Sequence, residues 1–147
     1  MKGSVSVTDK GWGRAKREAA SLKGRAVRVG LRAGGASGEV IQYAAYNEFG
    51  TKTVPARPFM RTAADTGRDK AGALMGQLAR AVVGGRISGE QALDRVGLWF
   101  VDFVQQTIQN AASWAKPLSP RTIAAKGSSK PLIDTRVMLR SVDYEKE

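Results

Sequence analysis

The segment RAVRVGLRAGGASGEVIQYAAY, residues 25–46, decides how this chain is read. Its first part alternates. Val27, Val29 and Leu31 fall on one face and Ala26, Arg28 and Gly30 on the other, the period-two pattern of a half-buried strand. The glycine-rich residues 33–38 order only at high entropic cost and read as a flexible hairpin loop. Alternation resumes over Glu39 to Tyr46, where Ile41 and Tyr43 flank Gln42. Two strands about such a turn make an antiparallel sheet the expected centre of the fold. A phosphate-binding loop is the sharper reading of the same glycines, but the lysine and following Ser/Thr of a Walker motif are missing.

Downstream, Pro55 and Pro58 push the residue before each out of the helical region, giving an extended stretch. Pro58 also suits the first turn of a helix, where its missing N–H costs little. A helix is expected from Pro58 to Val83, softened by Gly67, Gly72 and Gly76 unless those small residues mark close contact with another helix. Gly84 and Gly85 end it. Ser88 followed by Gln91 is a capping-box pattern that opens the strongest helix, from Gly89 to about Ala112. Its stripe of Leu93, Val96, Phe100, Phe103, Val104, Thr107 and Ile108 has helical spacing. Leu98, Trp99 and Val101 lie outside that stripe, so its middle is apolar nearly all round and should be buried on several sides, by the chain's own core or by another subunit. Residues 114–130 read as a Pro-, Ser- and Lys-rich loop in which Ser119 and Pro120 start a short helix. Asp134 and Thr135 look like a cap for one or two further turns, and Val142 and Tyr144 like a closing strand. Upstream, Val5 and Val7 suggest a short strand, and Asp9 caps a basic surface helix from about Lys10 to Leu22 with Gly24 as its stop.

The expectation is therefore an α+β fold: a small, mostly antiparallel β-sheet packed against two long α-helices, with flexible loops. One domain would fill residues 1–147, with a basic strand and helix at 1–24, the sheet at 25–56, helices at 57–113 and a C-terminal loop and cap at 114–147. The length and the hydrophobic fraction of 42% suit a single modest core.

Composition narrows the chemistry. There is no cysteine and no histidine, which removes disulfides, thiolate metal sites, cysteine nucleophiles and the commonest general base together. Carboxylates are the main remaining route to catalysis. Asp65 and Asp69 sit four apart, and Asp94 and Asp102 about two turns apart, but Arg61, Arg68, Lys70 and Arg95 share those faces and no phosphate cradle or metal-spaced cluster accompanies them. An enzyme is not expected, nor any cofactor. The polar residues 1–10 lack a secretory signal's apolar run, and residues 98–104 are too short an apolar stretch to span a bilayer, so a soluble protein without a membrane partner is expected.

The net charge of +11 is unevenly placed. Residues 1–37 carry nine Lys/Arg against two Asp/Glu, residues 38–56 sum to −1, 57–86 to +4, 87–113 to −2 and 114–147 to +3. Arg14, Lys16, Arg17, Lys23, Arg25, Arg28 and Arg32 could face phosphate or an acidic neighbour, or only water. Nothing resembles a base-reading motif.

Two stretches carry a recognisable pattern. Residues 44–51 (AAYNEFGT) followed by 54–61 (VPARPFMR) resemble the A-x-Y-N-E-F-G-T … P-A-R-P-F-x-R signature of neck and minor-tail proteins of long-tailed phages, the tail-completion family that includes the minor tail protein Z group. Trp114, residues 117–119 (PLS), Thr122, Ile123, Lys126 and residues 130–135 (KPLIDT) resemble the same family's C-terminal signature. The likeness covers roughly Arg25 to Tyr144. One departure is plain: the family pattern has glycine after Asp-Thr, and here Arg136 stands there. The local turn then differs, or a helix starts directly at Thr135.

The resemblance implies a structural virion protein: a ring-forming subunit, sixfold, at the head–tail junction. It would meet the tail terminator or tail tube on one side and the head connector or head-closure protein on the other, with DNA passing through and touched, if at all, without sequence preference. Contacts with neighbours are expected from Tyr46, Asn47, Glu48, Phe49, Gly50, Pro55, Arg57, Pro58, Phe59, Trp114, Leu132, Asp134, Thr135 and Arg136. Phe49, Pro55, Pro58 and Phe59 form a rigid apolar element that docks between subunits or merely seats a helix, and Glu48 with Arg57 could form an ion pair between subunits. The alternatives are a sequence-independent nucleic-acid-binding module, and a neighbouring ring such as the tail terminator or head closure.

Overall fold

In the computed structural model, which describes residues 8–132 and 136–147, two long helices form the frame. They are α3 (Phe59–Val83) and α4 (Gly89–Gln109), joined by a five-residue link and packed along each other. The link works because both helix ends are stopped locally. Gly84 closes α3 by donating to the Arg80 carbonyl at 2.9 Å. Ser88 opens α4 with a reciprocal capping box, accepting from Gln91 N at 3.1 Å while its own N–H donates to the Gln91 side chain at 3.0 Å. Midway, Gly67 of α3 lies against the Phe103 ring, where a Cβ would stand 2.9 Å from the nearest ring carbon. Gly67 is thus a site of close helix approach, whereas Gly72 has open space beside it.

Around this hairpin lie α1 (Trp12–Ser21), β1 (Val27–Gly30), α2 (Gly38–Phe49), a 3-10 turn (Ala111–Ser113), α5 (Pro120–Lys126), α6 (Val137–Arg140) and β2 (Asp143–Lys146). The expected α+β arrangement is corrected here. Among the described residues the chain is mostly helical, and its only sheet is the two-stranded antiparallel ribbon β1–β2, registered Val27 to Lys146 and Gly30 to Asp143. It lies against α4 and does not form a layer.

The error arose at residues 39–46. The alternation of Ile41 and Tyr43 about Gln42 spans too few residues to define a strand, and a helical pattern runs through the same segment. Val40, Ala44 and Asn47 recur at i, i+4 and i+7; Val40 is half-buried, and Ala44 and Asn47 are the buried positions of α2. Ser37 caps this helix by accepting from Val40 N, and Glu39 favours its positive end. The glycine-rich segment therefore feeds a helix instead of turning a hairpin. The true partner of β1 is the closing strand, 119 residues on from Val27 at Lys146.

The main core gathers Ala44, Phe59, Ala63, Val104, Ile108, Ala111, Leu132, Met138 and Val142, so α2, α3, α4 and α6 all contribute to it or flank it. A second, smaller cluster of Leu78, Val82 and Ala92 sits at the far end of the hairpin. The middle of α4 is covered on several sides, by α3 and by the ribbon, but Leu98 remains exposed. Asp9 caps α1 as expected, accepting from Trp12 N at 2.6 Å, and these backbone bonds hold its carboxyl below the usual range. The strand expected at Val5 and Val7 lies outside the described residues.

Candidate interaction surface

The first signature folds into one tight junction between α2 and α3. At the end of α2, Gly50 turns the chain with φ 77°, and a Cβ there would stand 3.0 Å from Ala56 N and 3.1 Å from Val54 O. The loop closes on itself, with Thr51 N donating to Val54 O at 2.9 Å, and Arg57 N reaches back to Asn47 O at 2.6 Å. Asn47 is buried and donates its side-chain amide to Tyr43 O at 2.9 Å.

Glu48 and Arg57 are both engaged within the chain. The Glu48 carboxylate accepts from Met60 N at 2.9 Å and Arg61 N at 3.1 Å, so it caps the first turn of α3 from twelve residues upstream. Unpaired N–H groups at a helix start carry partial positive charge, which suits a carboxylate. Arg57 is only 5% exposed, and its Nε donates to Lys116 O at 2.8 Å and its Nη2 to Pro117 O at 3.1 Å. Those carbonyls belong to the second signature. One guanidinium thus ties the two sequence signatures together, 60 residues apart.

The other expected contact residues divide into inward and outward groups. Phe59 and Leu132 are buried in the core, Pro58 is half-buried, and Trp114 is half-buried with its indole donating to Thr107 O at 2.9 Å. Tyr46, Phe49 and Pro55 remain exposed, Phe49 to 74%. Asp134 and Thr135 lie outside the described residues. Arg136 is exposed and keeps φ 61°, the left-handed conformation that a glycine adopts without strain. So α6 begins at Val137, not at Thr135, and the turn at Arg136 has the geometry a glycine would favour.

Tyr43 joins this surface without any sign in the sequence pattern. With residues 38–49 helical, Tyr43, Tyr46 and Phe49 follow one another at i, i+3 and i+6, and all three are exposed. Tyr43 and Tyr46 line a groove of about 740 Å³ whose other walls come from residues 53–57 and from α5 with the loop before it.

The basic residues of the N-terminal part are distributed differently from a phosphate-binding face. Arg25 pairs with Glu90 at 2.7 Å, Arg28 with Glu147 at 2.9 Å, and Arg32 with Asp143 at 3.1 Å and Glu145 at 3.4 Å. Arg14 lies over Gly85 and donates to its carbonyl at 3.2 Å. Lys16, Arg17 and Lys23 are exposed. Lys146 completes the ribbon's network, meeting Asp94 at 2.7 Å and Glu90 at 3.0 Å, while the Tyr144 hydroxyl donates to Asp94 at 3.0 Å. The Lys146 ammonium holds the Glu90 and Asp94 carboxyls below their usual range, and those carboxylates in turn raise Lys146; Asp94 raises Tyr144. The backbone N–H of Tyr144, then Arg32, lowers Asp143.

Three of the four carboxylates considered for catalysis have partners of their own in the chain. Asp94 is held in the ribbon network, Asp102 accepts from Gln106 at 2.6 Å, and Asp65 lies 4.0 Å from Arg68. Among the described residues no group of three or more acidic side chains is placed to hold a metal, and no helix is long and apolar enough to cross a membrane. No family model, curated protein or solved structure matches the chain.

Proposed function

We propose that this chain is a structural subunit of a tailed-phage neck, a ring-forming tail-completion protein that joins tail to head and lets DNA pass. The observation that carries the reading is the Arg57 bridge. Two signatures read separately along the sequence belong to one buried junction, with Arg57 of the first bonded to the Lys116 and Pro117 carbonyls of the second. Two chance likenesses would have no reason to meet.

The distribution of exposed apolar groups supports the same reading. A closed cyclic ring needs two different patches on each subunit, because every copy meets its neighbours head to tail. Here Phe49 is exposed near the start of α3, outside the groove, and Trp12 and Val83 face a shared hollow at its end. A helix of 25 residues is about 37 Å long, so the two patches lie at opposite ends of the subunit.

Native mass spectrometry of nuclease-treated protein, alone and with a candidate tail-tube protein, tests the proposal. A closed ring under either condition is the expected result. A monomer that ignores the tube protein and retains DNA fragments at low salt overturns it.

A further inference from the structure

We propose that the groove between α2 and α5 docks an acidic segment carrying aliphatic side chains, supplied by a different protein of the assembly. The inference rests on the neck reading only in requiring a neighbour; the groove itself specifies that neighbour's chemistry.

The groove's lining is largely apolar: Tyr43, Tyr46, Val54, Pro55, Leu118 and Ala125. Its polar lining residues are engaged inside the chain: Asn47 with the Tyr43 carbonyl, Arg57 with those of Lys116 and Pro117, Ser119 with Thr122, Thr53 with Thr51, and Lys126 with the Lys130 carbonyl. The occupant therefore meets hydrocarbon at the base. The surroundings are cationic. Lys126 stands in the lining itself. Lys116 and Arg121 are exposed and adjoin lining residues in the chain. An apolar floor with a basic rim selects aliphatic side chains flanked by carboxylates, the rim setting orientation and encounter rate.

A second copy of this chain does not supply such a segment. Its own carboxylates are largely committed: Asp9 and Glu48 bond helix-start N–H groups, Glu18 accepts from Gly89 N, Asp143, Glu145 and Glu147 pair with arginines, and Glu90 and Asp94 pair with Lys146. Asp65 and Asp69 stand among Arg61, Arg68 and Lys70 on a helix. A single-stranded nucleic acid satisfies the rim and can stack on tyrosines, but it brings nothing aliphatic to Val54, Pro55 and Leu118.

Fluorescence polarisation on the intact protein tests the proposal with four labelled probes. They are a short peptide alternating Glu with Leu, the same peptide with Ser for Leu, the same with Gln for Glu, and an oligo-dT strand. The Glu/Leu peptide is expected to bind at least about tenfold more tightly than each of the others. Leu118→Ser and Tyr46→Ser, checked for folding by circular dichroism, should each weaken it about tenfold, and Trp12→Ser at the far end should not. Equal binding of the serine peptide reduces the effect to ion exchange and overturns the proposal. So does tightest binding by oligo-dT, indifference to Leu118→Ser and Tyr46→Ser, or no binding by any probe. The mass experiment reads ring formation independently: a chain that forms a ring yet ignores the peptide sinks this inference and leaves the neck reading standing, and the converse result does the opposite.

Discussion

The α2–α3 junction and the β1–β2 ribbon are both held by charged side chains, yet they use charge in opposite ways. At the junction a single buried guanidinium meets two backbone carbonyls, and a carboxylate meets two backbone N–H groups. In the ribbon, Arg25, Arg28, Arg32 and Lys146 meet carboxylates at sites open to water. A buried charge deprived of its surroundings leaves unpaired polar groups behind, whereas an exposed pair exchanges each lost partner for solvent. The few bonds at the junction should therefore matter more than the many in the ribbon.

The largest expected effect is at Arg57. Arg57→Ala removes both bonds and strands the Lys116 and Pro117 carbonyls, and should destabilise the fold by about 3 kcal/mol in urea unfolding. A loss no greater than that of Arg32→Ala would erase the contrast between the two regions. Next comes packing on the ribbon side. Gly97 of α4 lies under the Tyr144 ring, and a Cβ would overlap it. Gly97→Ala should cost about 2 kcal/mol and loosen β2, seen as faster amide exchange in residues 143–146 with α3 unchanged. Glu48→Ala should cost about 1 kcal/mol, the usual worth of a helix cap, and Arg136→Gly should add about 1 kcal/mol by relieving the left-handed backbone. A neutral result at Arg136 would mean that its φ of 61° is held by something other than its own backbone preference.

The smallest effect is the response of the ribbon to pH. Glu90, Asp94 and Asp143 have lowered folded-state values, so the stability they lend is present above the ordinary carboxyl values of 4.5 and 3.8 and fades as pH falls below them. Lys146 and Tyr144 have raised values, so their share is complete below the ordinary 10.5 and 10.0 and fades above. Amide protection factors in β2, taken relative to the intrinsic exchange rate at each pH, should be largest between these limits and should fall first in the ribbon on acidification.

The same contrast explains what could be read from the sequence. The long helices were legible because their signals are local: a capping box at Ser88 and Gln91, apolar residues at helical spacing, and glycines at the link. The short closing strand was legible too, but not its partner, since pairing across more than a hundred residues leaves no local trace. Residues 39–46 mislead because a three-residue alternation lies over a helical pattern, and Ser37, the cap of that helix, sits within the glycine-rich segment. The signature residues carry no sequence sign of which of them turn inward and which outward. An arginine between two prolines gives no local sign of burial, because what makes Arg57's burial tolerable is a pair of carbonyls from a distant loop. Glu48 likewise caps a helix that begins too far along the chain for any capping-box spacing to reveal it.

The pairing of Val27 with Lys146 has a consequence for synthesis. A ribosome adds about 5–20 residues each second, so β2 is made roughly 6–24 seconds after β1. For that interval β1 is a nascent strand with an open edge, the kind of surface on which polysomes seed aggregates. Arg25, Arg28 and Arg32, interleaved with its valines and Leu31, act as gatekeepers before they act as ion-pair partners. Glutamine at positions 28 and 32 should therefore raise the insoluble fraction in cell-free translation far more than it lowers the melting temperature of the finished protein; an unchanged insoluble fraction would assign those arginines to the folded state alone.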